Sequence, residues 1–412
     1  MNLKKSASLF CILLLFANNL HAQNTITRDS LLGQINTITT AVPFLLIAPD
    51  ARAGGMGDQG VATSADANSI HWNPAKLAFV DKNFGLSLSY TPWLRALVPD
   101  IYLGYLSGYY KLKNEQALGL SLMYFSLGNI TFTDNAGNVT GDFNPNEFSV
   151  DVAYARKLGD DFSGGLALRY IYSNLTGGIA LPSSGTFSHP GRSVAADISM
   201  FYHKEVEVSG KKSIFSAGLN ISNIGSKISY TETGNKDFIP TNFKLGTCLK
   251  MDLDDYNTLA VTAEINKLLV PTPPVYLKAA NGSDSLDENN NRIVLYGKDP
   301  NISIASAIFS SWSDAPGGFE EEMKEFTWAG GLEYWYDKQF AIRGGYFHEA
   351  ATKGNRKYFT VGAGVKYNVF GFDFAYLIPT EQKHPLENTI RFTLLVDLEG
   401  LKKENDEEKP SE

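Results

Sequence analysis

The sequence predicts an all-β membrane protein: a 14-stranded antiparallel outer-membrane β-barrel whose lumen holds an N-terminal hatch. Three observations carry this. Segments of mostly ten to twelve residues alternate apolar with small or polar residues, the period of a strand with one greasy face. That length suits a tilted bilayer crossing of about 9–11 residues and exceeds the roughly 5–6 of soluble strands. The connections between segments alternate short and long, and the chain opens with an export leader.

The leader is residues 1–22. Lys4 and Lys5 form its positive end, Leu9–Phe16 its apolar run, and Leu20-His21-Ala22 the small-residue site before a cut at Gln23. The run is too short for a membrane anchor. Cys11 lacks the small residues of a lipoprotein signal after it. Residues 23–42 are expected to be a periplasmic N-terminal segment.

Residues 43–80 break the pattern. The stretch PFLLIAPDARAGGMGDQGVATSADANSIHWNPAKLAF has no period of two. Gly54, Gly55, Gly57, Asp58 and the ending Asn73-Pro74-Ala75 suit a compact insert inside a barrel. Asp50 and Arg52 are expected to form ion pairs with inward Arg169, Arg343 or Glu333. Tight packing and gating are both open to this insert.

Fourteen strands are expected at 84–90, 101–112, 116–127, 147–157, 162–174, 193–203, 213–223, 242–251, 257–267, 326–337, 339–348, 357–367, 370–377 and 388–398, forming a barrel over 84–398. In the first, Phe84, Leu86, Leu88 and Tyr90 oppose Gly85, Ser87 and Ser89. The inward face is otherwise small, with Asp151, Arg169, Asp197, Glu264, Glu333, Arg343 and Asp373. Fourteen strands exceed the roughly eight that side chains alone can fill, so a lumen is expected. Short turns at 113–115, 158–161, 252–256 and 337–338 alternate with longer connections, except for a medium turn at 204–212. Short periplasmic turns and long external loops mark outer-membrane barrels. Trp328, Tyr334, Trp335, Tyr336, Phe340, Tyr105, Tyr109 and Tyr110 are expected in interfacial girdles. The competing architecture is a large soluble β-protein with one wet face.

The longest loop is 268–325. It is Pro-rich, then polar, then carries a short amphipathic helix within 302–326 with Ile304, Ile308, Phe309 and Trp312 on one side. A lid over the barrel mouth and a partner surface both fit it. The tail 399–412 is charged and expected to be disordered in the periplasm.

Composition excludes several classes. The leader carries two Lys and no acid, so the remainder has 34 basic and 44 acidic side chains and a net charge of −10. Nucleic acid is an unfavourable partner for such a surface. After the leader Cys248 is the single cysteine, so neither a disulfide framework nor Cys metal spacing is available. No G-x-S-x-G elbow or H-E-x-x-H occurs. His71, His189, His203, His348 and His384 are scattered, and Ser188-His189 makes a poor hydrolase signal. Asp284, Asp287 and Glu288 lack the spacing and glycine of a calcium loop. No enzyme, cofactor or metal is expected.

On AVPFLLIAPDARAGGMGDQGVATSADANSIHWNPAKLAF, SLSYTPWLRALVPDIYLGYLSGYYKL, YFSLGNITFTDNAGNVTGDFNPNEF and LRYIYSNLTGG, the chain resembles the PorV (LptO) family of outer-membrane barrels of the type IX secretion system. Asn73-Pro74-Ala75 is also similar to the NPA element in the hatch of FadL-type fatty-acid transporters, which are fourteen-stranded barrels. The resemblance implies a FadL-like fold and an outer-membrane carrier. Such a carrier binds a large translocon barrel (Sov or SprA) and the C-terminal signal domain of cargo, and passes cargo to a PorU-containing attachment complex at the cell surface. It also implies contact with lipids and lipopolysaccharide. Expected partner contacts are Trp93, Leu94, Leu97 and Val98 in the first loop, Phe143 in the second, and Leu181 and Phe187 in the third. Val275, Tyr276, Phe309, Trp312 and Phe319 are expected contacts in the longest. The alternative is a FadL-like transporter of hydrophobic small molecules. Lipopolysaccharide O-deacylation, linked to the family, finds no nucleophile motif here.

Overall fold

The computed structural model describes residues 28–397 apart from 96–97, 114, 134–135, 178–186, 232–235 and 382–383. The leader 1–22, the tail 399–412, Leu97 and Leu181 lie outside the described residues. The barrel strands are β1 (Phe84–Pro92), β2 (Ile101–Leu112), β3 (Gln116–Leu127), β4 (Asn146–Lys157), β5 (Phe162–Asn174), β6 (Gly191–Val208) and β7 (Lys211–Gly225). They continue as β8 (Asn242–Asp252), β9 (Asn257–Leu268), β10 (Thr327–Tyr336), β11 (Phe340–His348), β12 (Lys357–Tyr367), β13 (Phe370–Pro379) and β14 (Ile390–Asp397). Each pairs antiparallel with its neighbours in sequence, and β1 closes on β14 through Gly85–Asp397 to Tyr90–Phe392. Closure leaves no unpaired sheet edge. No helix of the described residues is long and apolar enough to cross a membrane.

Alternation sets the two faces. On β1, Leu88 is 55% exposed on the outside of the barrel, whereas Ser87 and Ser89 are 1% and 2% exposed on the inside. The seven charged residues expected inside, from Asp151 to Asp373, are all buried. Trp328, Tyr336, Phe340 and Tyr110 are exposed on the outer wall as a girdle requires. Tyr105 and Tyr109 are not: alternation turns them inward and buries them. Trp335 is likewise inward, with the Arg343 guanidinium 5.4 Å from its ring.

The expected medium turn at 204–212 is instead strand. β6 and β7 extend to a two-residue turn at Ser209-Gly210, both with positive φ (52° and 76°). Such a turn matches the twist of paired strands. Short and long connections therefore alternate along the whole barrel.

The N-terminal segment corrects a second expectation. Helix α1 (Arg28–Leu31) and the chain after it lie at the long-loop end, not beside the short turns. Asn36 N donates to Thr352 O at 2.9 Å and Ala41 N to Phe238 O at 2.9 Å. From there the chain descends through the lumen by a 3-10 turn (Pro43–Leu46), α2 (Ala51–Gly54), α3 (Ser69–Trp72) and a second 3-10 turn (Pro74–Phe79). It enters β1 at the short-turn end, where Lys111 N donates to Asn83 O. An insert that spans the lumen must emerge at opposite ends.

The helical pieces of 302–326 are α4 (Ile304–Ser310) and α5 (Phe319–Lys324). Small two-stranded hairpins, Ile130–Thr133 with Val139–Phe143 and Val275–Tyr276 with Val294–Tyr296, stiffen two of the long loops.

Candidate functional site

The hatch is built by local capping and fixed by charge. Asp50 caps α2, its Oδ2 accepting from Ala53 N at 2.9 Å, while Oδ1 accepts from Trp72 Nε1 at 2.7 Å. Asp50 thus joins two hatch helices and pairs with no wall arginine, contrary to expectation. Asn73 Oδ1 accepts from Ala75 N, and its Nδ2 donates to Val61 O and Met200 O. This turns the chain into the second 3-10 piece, where Pro74 supplies the fixed φ of a first turn.

Arg52 does make the expected pair. Its Nε and Nη2 donate to the two oxygens of Glu333 at 2.9 and 2.8 Å, and Nη1 donates to Asp66 at 2.9 Å. Glu333 also accepts from Arg343 Nε at 2.8 Å, and Arg343 Nη1 donates to Asp373 at 2.7 Å. Asp58 is held by Arg391 at 2.7 and 3.1 Å and by the Tyr358 hydroxyl at 2.6 Å. Glu264 accepts from Gly60 N and Val61 N at 2.9 Å each. Arg169, also expected as a hatch partner, instead bridges Asp151 and Asp197 within the wall.

Wall glycines admit the hatch backbone. A Cβ on Gly345 would stand 2.2 Å from Met56 C, and one on Gly57, at φ +84°, 2.8 Å from Tyr346 O. Gly54 and Gly55 bring α2 against Arg391 and Gly362 in the same way.

Above the hatch, at the long-loop end, lies a cavity of about 450 Å3. Thr37–Thr40, Trp72, Trp93, Lys244 and Arg356 are among its walls. Lys244 is buried with its ammonium 4.4 Å from the centre of the Trp72 ring. A cavity of about 130 Å3 lies toward the short turns, lined by Phe79, Asp81, His203, Ser216 and Cys248 among others. His203 Nδ1 is 3.2 Å from Ser216 Oγ. Among the described residues no carboxylate hydrogen-bonds that imidazole, so the pair lacks the orienting acid of a hydrolase triad.

A charge network roots the longest loop on the rim. Lys267 Nζ lies 2.7 Å from Glu322 Oε1 and 2.6 Å from Glu325 Oε2. Lys353 Nζ lies 2.6 Å from Glu321 Oε1 and 3.0 Å from Glu325 Oε1. Thr272 donates its hydroxyl to Glu325 at 2.7 Å and its N–H to Asp314 Oδ2 at 3.2 Å. Asn36 Nδ2 ties the N-terminal segment in by donating to Glu321 at 2.9 Å. Burial, then the charges of Glu325 and Glu322, pushes the Asp314 carboxyl up to about 6. Against the cost of burial, the Lys353 ammonium holds Glu321 below the usual carboxylate range. This network was missed from the sequence: alternation from inward Glu264 puts Lys267 on the outer face, and it is buried there by Glu322 and Glu325 of the loop folding over it.

The expected contact residues divide into two sets. Trp93 and Leu94 pack into the barrel mouth against a buried cluster of Ala329, Phe347, Tyr358, Leu377 and Leu386. Phe143 stacks on Phe132, and the Arg292 guanidinium covers Tyr276 at 4.2 Å beside half-buried Val275. These side chains pack within the protein. Val98, Phe187, Phe309, Trp312 and Phe319 are exposed. Helix α5 has its usual sides exchanged: Glu321 and Glu322 are buried, whereas Phe319 and Met323 are 77% and 45% exposed. On α4, Ala307 faces the protein and Phe309, 80% exposed, faces away.

The family model described as the type IX secretion system protein PorV matches residues 31–275. No curated protein matches the sequence. Among solved structures, the chain is similar to the toluene transporter TbuX of Ralstonia pickettii, with 13% identity over 85% of this chain and 98% of that one and a TM-score of 0.46. It is similar to the toluene transporter TodX of Pseudomonas putida, with 10% identity over 88% and 98% and a TM-score of 0.45. A FadL homologue of Pseudomonas aeruginosa shows 12% identity over 88% and 99% and a TM-score of 0.42.

Proposed function

We propose, on the premise that the chain belongs to the PorV family of type IX secretion system proteins, that it is an outer-membrane carrier that grips other proteins with its long loops. Its partners in this reading are the large translocon barrel, the C-terminal signal domain of exported cargo, and the surface complex that attaches cargo. The observation that carries the reading is the inverted helix α5. It turns Phe319 and Met323 outward and buries acids beneath them. A helix of a self-sufficient globular surface buries its apolar stripe, and exposed apolar groups that are clustered mark contacts.

The transporter reading requires an apolar path. The cavity above the hatch is lined by Lys244, Lys267, Lys353 and Arg356 as well as Trp72 and Trp93, and below it the hatch is ion-paired to the wall. These features favour protein binding over hydrocarbon passage. The test is recovery of tagged protein from native membranes. The carrier reading expects a very large barrel partner and cargo to co-purify. Recovery of neither, together with reduced uptake of fatty acids on deletion, would replace it with the transporter.

A further inference from the structure

We propose that the root of the long loop is a calcium site formed by Asp314, Glu322 and Glu325. The three residues are 2%, 3% and 7% exposed, and each offers a carboxylate oxygen, all within 4.8 Å of one another. Charge and hydrogen bonding are both incomplete there. The buried network holds four carboxylates (Asp314, Glu321, Glu322 and Glu325) against two ammoniums, Lys267 and Lys353. A divalent cation matches that surplus. Asp314 Oδ1 accepts no hydrogen bond although it is buried, and a buried acceptor left without a partner is destabilising.

Lys267 already lies between Glu322 Oε1 and Glu325 Oε2. It does not fill the site, because an ionised carboxylate has roughly four acceptor positions and Asp314 Oδ1 is not in contact with it. The donor set selects the ion. It is all oxygen, without the Cys or His that a zinc site draws on. Three buried carboxylates suit Ca2+, which takes about six to eight oxygen ligands, whereas Mg2+ keeps several waters and binds through one or two carboxylates. Bound calcium would join the turn at Asp314, helix α5 and the entry to β10, fixing the C-terminal part of the loop, which carries Phe319.

The experiment uses full-length protein purified in detergent and stripped with a calcium chelator, titrated with Ca2+ by calorimetry and followed by thermal unfolding. One Ca2+ per chain is expected, with Kd of about 10⁻⁴–10⁻³ M as in extracellular sites, and a raised Tm that millimolar Mg2+ does not reproduce. Asp314→Asn should weaken binding at least about tenfold, the scale seen for perturbed metal sites. Glu322→Gln should do the same and serves if the first variant does not fold. Asp287→Asn, in an exposed turn of the same loop, should bind as the unaltered protein does. No Ca2+ bound at millimolar concentration, unchanged affinity in both site variants, or loss of binding in Asp287→Asn would each overturn the assignment.

Discussion

Arg52 of the hatch lies across Glu333 of the wall, Nε to Oε2 at 2.9 Å and Nη2 to Oε1 at 2.8 Å, in a two-point pair in which Glu333 is buried and Arg52 largely so. Removing one partner of such a pair strands the other, at about 3–5 kcal/mol. Arg52→Ala and Glu333→Gln should each lower Tm and produce open-channel bursts in planar bilayers. The double variant should cost less than the two single losses together, because the stranded charge is gone. Additive losses in a double-mutant cycle would show that the two residues act separately.

The glycines beside Met56 give a sharper test of hatch seating. A Cβ on Gly345 meets Met56 C at 2.2 Å, whereas on Gly344 the nearest atom is Thr360 O at 3.9 Å. Gly345→Val should displace the hatch and raise conductance. Gly344→Val points to the outer face and should leave conductance unchanged. Equal behaviour of the two neighbours would contradict the packing described.

The path of the N-terminal segment predicts surface labelling. Ile35 is 80% exposed at the long-loop end and Leu158 is 66% exposed in a short turn. The native Cys248 is buried and gives little background. Ile35→Cys should react with a membrane-impermeant maleimide on intact cells, and Leu158→Cys only after lysis. The reverse pattern would place the segment in the periplasm.

Much of this was legible in the sequence because barrel strands obey one rule. A period of two fixed which of Ser87 and Leu88 faces the lumen, and it carried Glu333 and Arg343 inward before any pairing was known. Arg52–Glu333 followed because a charged hatch residue in a lumen needs an opposite charge. Asp50 was misplaced because capping is local: the Ala53 N–H and Trp72 Nε1 lay closer than any wall cation. The turn at 204–212 hid because charged residues there are compatible with strands that extend beyond the bilayer. The Asp314–Glu322–Glu325 cluster was illegible because it joins a turn, a helix and a strand entry that no periodicity aligns.

The exposed apolar residues should be dispensable for folding. Phe309→Ser and Phe319→Ser remove side chains that are 80% and 77% exposed, and surface changes of this kind stay within about 0.5 kcal/mol. Tm and heat-modifiable gel mobility should be unchanged while secretion of cargo falls. Destabilisation by more than about 1 kcal/mol would mean that the residues pack within the protein.

The most direct measurement is site-specific photocrosslinking in living cells from position 319, with position 158 as the control. The carrier account predicts adducts from Phe319 with a very large barrel or with cargo, and none of these from Leu158. A correctly inserted protein that gives no protein adduct from position 319, with secretion intact, would contradict it.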